Sequence, residues 1–169
     1  MIKRIFFFTS LLVLIISCSS FEYVYNTSES IEYGIKYKTL LSISGDNKDI
    51  INSYLLSKIG KTTSNPAYAL SIFSSSSIEA VVIEIDATAS KFMIKHDLKY
   101  ILNNLNKDCV VIEKKISTNS LYNAKSAGYS FGTDLAEKEL STKNLHSNID
   151  QFLNELSINY IDLKCKNED

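Results

Sequence analysis

Between residues 35 and 44 apolar and polar positions alternate, with Ile35, Tyr37, Thr39, Leu41 and Ile43 on one side and Lys36, Lys38, Ser42 and Ser44 on the other. A period of two predicts a half-buried strand. Gly45-Asp46-Asn47 interrupts it and offers side-chain oxygens to cap a helix. Ile50/Ile51, Tyr54/Leu55 and Ile59 then recur at helical spacing, with Gly60 set to follow the last turn. After a loop to Pro66, residues 67–74 read as a second strand with Tyr68, Leu70 and Ile72 on one face. Ser74-Ser75-Ser76-Ser77 reads as a turn, and residues 78–86 as a further extended segment.

The second half is patterned more clearly. From Lys91 to Leu102, Phe92, Ile94, His96, Leu98 and Tyr100 share one face while Lys95, Asp97 and Lys99 share the other. An Asn-rich turn over residues 103–108 predicts a hairpin. The return strand over 109–118 sets Val110, Ile112 and Ile116 inward and Glu113, Lys115 and Ser117 outward. From about Phe131 to Ile158 the pattern is helical, with Leu135/Ala136, Leu140, Leu145, Ile149, Phe152/Leu153 and Leu156 in one stripe and Lys, Glu, Asn and Asp opposite. A stripe that narrow belongs on a helix lying against a sheet. Hairpin-linked strands with amphipathic helices predict an α+β fold. We expect a two-layer sandwich with a mostly antiparallel four- to five-stranded sheet and two helices packed on one face.

The start of the chain has a different pattern. Lys3 and Arg4 precede an apolar run over residues 5–16, too short for the roughly 20 residues that span a bilayer. It fits the apolar region of a secretory signal peptide. The run ends in Ile15-Ile16-Ser17-Cys18, which resembles the lipobox of bacterial lipoproteins, where the Cys thiol is acylated and becomes the new N-terminus. Residues 1–17 are therefore read as a lipoprotein signal peptide, 18–33 as the lipidated N-terminus and a tether, and 34–169 as a single domain. Ser19 following Cys18 points to onward export to an outer membrane. Several acyl chains are expected on Cys18, because one chain alone binds a membrane only marginally.

Composition narrows the chemistry. The 169 residues carry a formal charge of −1, which argues against nucleic acid as a partner. Arg4 is the single Arg, so the exported chain has no guanidinium fork, and Lys, backbone N–H and hydroxyl groups must hold any anion. Of the two histidines, His96 falls on an apolar strand face and reads as a core residue, while His146 falls on the polar side of the long helix and reads as solvated. Neither has a partner at metal-ligand spacing, and we expect no cofactor or metal. Glu84 with Asp86, and Glu137 with Glu139, are the carboxylate pairs, the second placed to complement a helix dipole. With no phosphate loop and no nucleophile turn, a non-catalytic protein is expected. Cys109 and Cys165 are able to pair in an oxidising compartment, and their spacing leaves that open.

Taken together, Ala87-Thr88-Ala89-Ser90-Lys91, a strand ending in Tyr100-Ile101-Leu102, a hairpin, Ser120-Leu121-Tyr122-Asn123 and Phe131-Gly132-Thr133-Asp134-Leu135-Ala136-Glu137 resemble the LPS-assembly lipoprotein family (LptE), especially its alphaproteobacterial branch. The resemblance spans nearly all of the chain after the signal peptide. Leu121 is an insertion relative to the family pattern, Gly132 replaces Ala, and Lys91 stands where many relatives have Arg. The resemblance implies an outer-membrane lipoprotein on the periplasmic side. It would plug the barrel protein LptD, help it assemble, and assist delivery of lipopolysaccharide to the outer leaflet. Lys91 and Lys125 are the positions expected to meet lipopolysaccharide, as point charges. A competing expectation is an auxiliary periplasmic lipoprotein of an ABC-type lipid transporter.

Overall fold

The structure is a computed structural model and describes residues 34–85, 89–123, 130–159 and 163–166. The lipobox, Cys18, Asp86 and Lys125 lie outside the described residues. The elements run β1 (Thr39–Gly45), α1 (Lys48–Ile59), β2 (Tyr68–Ile83), β3 (Ala89–Asn104), β4 (Cys109–Asn123) and α2 (Ser130–Asn159). The four strands form one sheet in the order β1-β2-β3-β4. β1 pairs with β2 in parallel through the α1 crossover, and the two remaining pairs are antiparallel. The α+β expectation holds, with a mixed sheet.

The core lies between the sheet and the helices. In α1 the buried residues Ile51, Leu55 and Ile59 recur every four residues, one stripe of the helix. In α2 the stripe is Leu145, Ile149, Phe152 and Leu156. They meet Leu70 and Ile72 of β2, Leu98, Tyr100 and Leu102 of β3, and Ile112 and Ile116 of β4. Register brings these together across the sheet: Ile72 stands opposite Tyr100, Leu70 opposite Leu102, and Leu98 opposite Ile116. The Tyr100 and Phe152 rings stack at 4.1 Å, fastening α2 to the middle of β3.

Several local expectations are corrected. The first strand begins at Thr39 and not at residue 35, because Tyr37 adopts φ 61°, a left-handed conformation that ends extended pairing. Tyr37 is exposed while Ile35 is buried. Asn47 precedes α1 but makes no side-chain cap; its backbone is left-handed and its Nδ2 donates to Ser76 Oγ at 2.9 Å. The Ser74–Ser77 turn does not exist: β2 runs straight through it, each Ser facing a β3 partner from Leu98 to Lys95. The alternation was hidden because the inward positions there are Ser74 and Ser76, polar groups turned toward the helices. Val110 is exposed, since one extra residue of β4, Val111, lies between the partners of Leu102 and Asn103, and this bulge buries Val111 beside Ile112. Leu135 is also exposed, whereas Asn144 and Asn148, expected on the polar side of α2, are buried.

Gly45 and Gly60 are where backbone freedom is required. Gly45 has φ +94° and a Cβ there would lie 1.9 Å from the Ser74 carbonyl oxygen. Gly60, at φ +76°, follows α1 and donates its N–H to the Leu56 carbonyl, and its missing side chain leaves room for the Tyr37 ring.

Candidate functional site

Lys91 sits near the far end of β3, opposite Val82 of β2 and Asn123 of β4. Next to it, Phe92 stacks on Tyr122 at 5.4 Å, and Tyr122 Oη donates to Glu137 Oε2 at 2.9 Å. Burial and then that carboxylate push the Tyr122 hydroxyl up to about 12. Glu137 thus ties the start of α2 to β4, a role that dipole reasoning missed. β1 reaches only to Ser74, so the β2–β3 hairpin continues past the edge of the body. Ile78, Val81, Val82, Ile83 and Ile85 are exposed along this projection. Exposed apolar side chains grouped in this way mark a contact surface. The extent of apolar character over residues 78–86 was visible in the sequence, but its projection depends on how far β1 pairs.

Among the described residues no element packs on the sheet face away from the helices, which carries a charged network. Lys95 and Lys115 both reach Asp97 Oδ2, at 3.4 and 3.2 Å, and Lys99 pairs with Glu113 at 2.6 Å. Ser117 Oγ also donates to Asp97. That hydrogen bond, helped by the two lysines, holds the Asp97 carboxyl below its ordinary range. Phe73 and Leu121 are exposed on the same face.

The helix side contains a buried polar seam. His96 is buried with Nδ1 2.7 Å from Ser76 Oγ and Nε2 3.0 Å from Ser141 Oγ. A neutral imidazole carrying its proton on Nε2 satisfies both contacts. Burial lowers the His96 pKa, with Asp46 pulling weakly the other way. The core-histidine expectation is met, and the ring is occupied structurally. Further along, Asn148 accepts from Tyr100 Oη at 2.8 Å and donates to Ile116 O and Thr118 Oγ1 at 3.1 Å each. Burial pushes the Tyr100 hydroxyl far above its ordinary range. His146 does not stand free in water: its ring stacks on Tyr54 at 3.7 Å and joins the two helices. At the exposed edge of this helix–helix contact, Asp150 accepts from Tyr54 Oη at 2.7 Å and pairs with Lys58 at 3.0 Å.

Cys109 and Cys165 form a disulfide that fastens the end of the chain to the start of β4, and Lys166 N–H donates to Val110 O beside it. Glu84 is exposed just after β2. Among the described residues no group of three or more His, Cys, Asp or Glu is placed to hold a metal. No described helix is long and apolar enough to cross a membrane.

No protein-family model matches the chain, and no curated protein matches it in sequence. Solved structures do match its fold. The rare lipoprotein B from Shewanella oneidensis superimposes with a TM-score of 0.56 at 12% identity, over 70% of this chain and 92% of that one. A minor lipoprotein from Acinetobacter baumannii gives 0.56 at 13% identity, over 73% and 92%. A lipoprotein B from Nitrosomonas europaea gives 0.52 at 12% identity, over 72% and 86%. The chain shares the fold of these lipoproteins.

Proposed function

We propose that this protein is a lipid-anchored outer-membrane lipoprotein that occupies the lumen of the LptD barrel and assists lipopolysaccharide transport to the outer leaflet. The observation that carries the reading is the agreement of two independent signals. The lipobox and the strand, hairpin and helix motifs resemble the LPS-assembly lipoprotein family, and the fold is that of the rare lipoprotein B and minor lipoproteins. The physical form is compatible with such a role. The body is disulfide-closed and firmly packed, its open sheet face is charged and hydroxyl-rich, and barrel interiors are polar. No step of this role requires catalysis; the protein acts by filling space and by contact.

Lys91 lies where the projecting hairpin leaves the three-stranded part of the sheet, and it is the described cation assigned to lipopolysaccharide phosphates. Lys125 is assigned the same role from the resemblance. The test is affinity capture of the lipidated chain from detergent-extracted envelopes, with mass spectrometry of what co-purifies. A stoichiometric outer-membrane barrel supports the reading. Recovery of an inner-membrane ABC transporter without a barrel rejects it in favour of an auxiliary transporter subunit.

A further inference from the structure

The two edges of the sheet differ in chemistry. β4 carries Glu113, Lys114 and Lys115 along its length, and Lys166 N–H donates to Val110 O at its start. Charges of this kind keep an edge strand from pairing with another segment. β1, Thr39-Leu40-Leu41-Ser42-Ile43-Ser44-Gly45, carries none. Among the described residues β2 pairs with one side of β1 and no strand pairs with the other. Its two ends fix where its backbone groups point. Tyr68 N–H donates to Lys38 O and Asp46 N–H donates to Ser74 O, so positions 38, 40, 42, 44 and 46 turn toward β2. Positions 39, 41 and 43 turn outward, and Thr62 Oγ1 donates to the Thr39 carbonyl from that side. The N–H and C=O groups of Leu41 and Ile43 therefore face away from β2. Their side chains are half-buried against the core, and Leu40 is exposed on the other face.

The chain ahead of Gly34 supplies a matching stretch. Phe21, Tyr23 and Tyr25 alternate with Glu22, Val24 and Asn26, a period of two with aromatic residues at the repeating position. This stretch lies outside the described residues, and residues 28–33 connect it to Gly34. Thr39 Oγ1 donates to Ile35 O at 2.8 Å, which keeps the entering chain at the Thr39 end of β1. Parallel pairing needs a crossover of roughly a dozen residues or more, and here residues 28–33 would have to run back along all of β1. An antiparallel partner ends beside Thr39 and needs only a turn.

We propose that residues 21–27 add to the outer side of β1 as an antiparallel strand. Full overlap of the two stretches sets Tyr25 opposite Leu41 and Tyr23 opposite Ile43, pairs that exchange N–H and C=O bonds, with Val24 opposite Ser42 in a pair that does not. Phe21, Tyr23 and Tyr25 then share the face of Leu41 and Ile43, while Val24 and Asn26 share the face of Leu40. Cys18, three residues before Phe21, comes to the Gly45 end of the body, from which the β2–β3 hairpin projects. Anchor and hairpin thereby share one end, the arrangement that a hairpin inside a membrane barrel needs. The inference goes beyond the barrel reading and does not depend on it.

The test is nuclear magnetic resonance of the isotope-labelled chain from Cys18 onward, purified in detergent micelles. A nuclear Overhauser contact between the Hα atoms of Val24 and Ser42 is expected, since such atoms approach closely in a pair without hydrogen bonds. Amide hydrogen exchange at Leu41 and Ile43 should be at least tenfold slower than in the double variant Tyr23→Pro and Tyr25→Pro, whose prolines have no N–H to donate. Exchange at Ser42 and Ser44, which turn toward β2, should change less than threefold. The inference is overturned if residues 21–27 show no contact with β1, or if Leu41 and Ile43 exchange equally fast in the two proteins. Should the prolines loosen Ser42 and Ser44 as well, the Val24–Ser42 contact in the native chain decides alone. No barrel takes part, so a failure to capture LptD leaves this result standing, and an unpaired segment leaves the barrel reading standing.

Discussion

Tyr100 and Asn148 meet at the centre of the sheet–helix interface, the phenol hydroxyl donating to Asn148 Oδ1 at 2.8 Å with both side chains fully buried. Asn148 passes the connection on to β4 through Ile116 O and Thr118. One amide thus joins β3, β4 and α2 where an aliphatic residue would have been enough to fill the space. Tyr100→Phe leaves the amide oxygen buried without its donor and should cost about 1–3 kcal/mol. Asn148→Leu should cost at least as much, and the double variant less than the sum of the two. Urea denaturation midpoints of the four proteins check this; simple additivity would contradict a shared network.

Acid should loosen the same interface through His96. Its folded pKa lies below the ordinary 6.5 because burial penalises the imidazolium. The unfolded chain therefore binds the proton first as pH falls. Stability is complete above about pH 6.5 and is lost as pH drops toward the folded pKa. Asp97 and Glu113, both with lowered pKa, add a separate loss that begins only near and below their ordinary values of 3.8 and 4.5. Denaturation midpoints measured between pH 8 and 5 should fall for the native chain and stay flat for His96→Gln. A parallel decline in both would assign the effect elsewhere.

Closing a loop of 56 residues, the Cys109–Cys165 bridge restricts the unfolded chain. Cys165→Ser, or reduction, should lower stability by about 2–4 kcal/mol. Thermal and urea unfolding with and without reductant give the number. No change would mean that the bond adds nothing to the fold.

Gly45→Ala should be far more damaging than its size indicates. The residue is left-handed and its Cβ would overlap the Ser74 carbonyl at the β1–β2 pairing. A loss of about 2 kcal/mol or more is expected, with the same denaturation assay as the check.

Much of this architecture is legible in the sequence wherever one periodicity meets one buried face. α1, the core of β3 and the stripe of α2 follow from Ile51/Leu55/Ile59, Ile94 to Leu102 and Leu145 to Leu156. Legibility fails where the buried side is polar. Ser74 and Ser76 face inward on β2, so a continuous strand reads as two pieces with a turn. Asn144 and Asn148 look like solvent residues until their partners on β3 and β4 are known. The β4 bulge is silent too, because Val110, Val111 and Ile112 are equally apolar and only pairing decides which one turns out. Of the candidate site, Lys91 could be assigned to its strand, while the reach of the hairpin beyond β1 depends on pairings between distant segments.

Lys91→Glu should weaken lipopolysaccharide binding in vitro by severalfold while leaving stability within about 0.5 kcal/mol, since the residue lies on the partly exposed face of its strand. Lys125→Glu should act in the same direction. Unchanged affinity in either variant removes that lysine from the binding surface.

Photo-crosslinking in intact cells tests the account at its centre. A photoreactive residue in place of exposed Ile83, at the end of the projecting hairpin, should yield one dominant adduct with the LptD barrel, mapped to residues facing its lumen. An adduct with an inner-membrane transporter subunit, and none with a barrel, would contradict it.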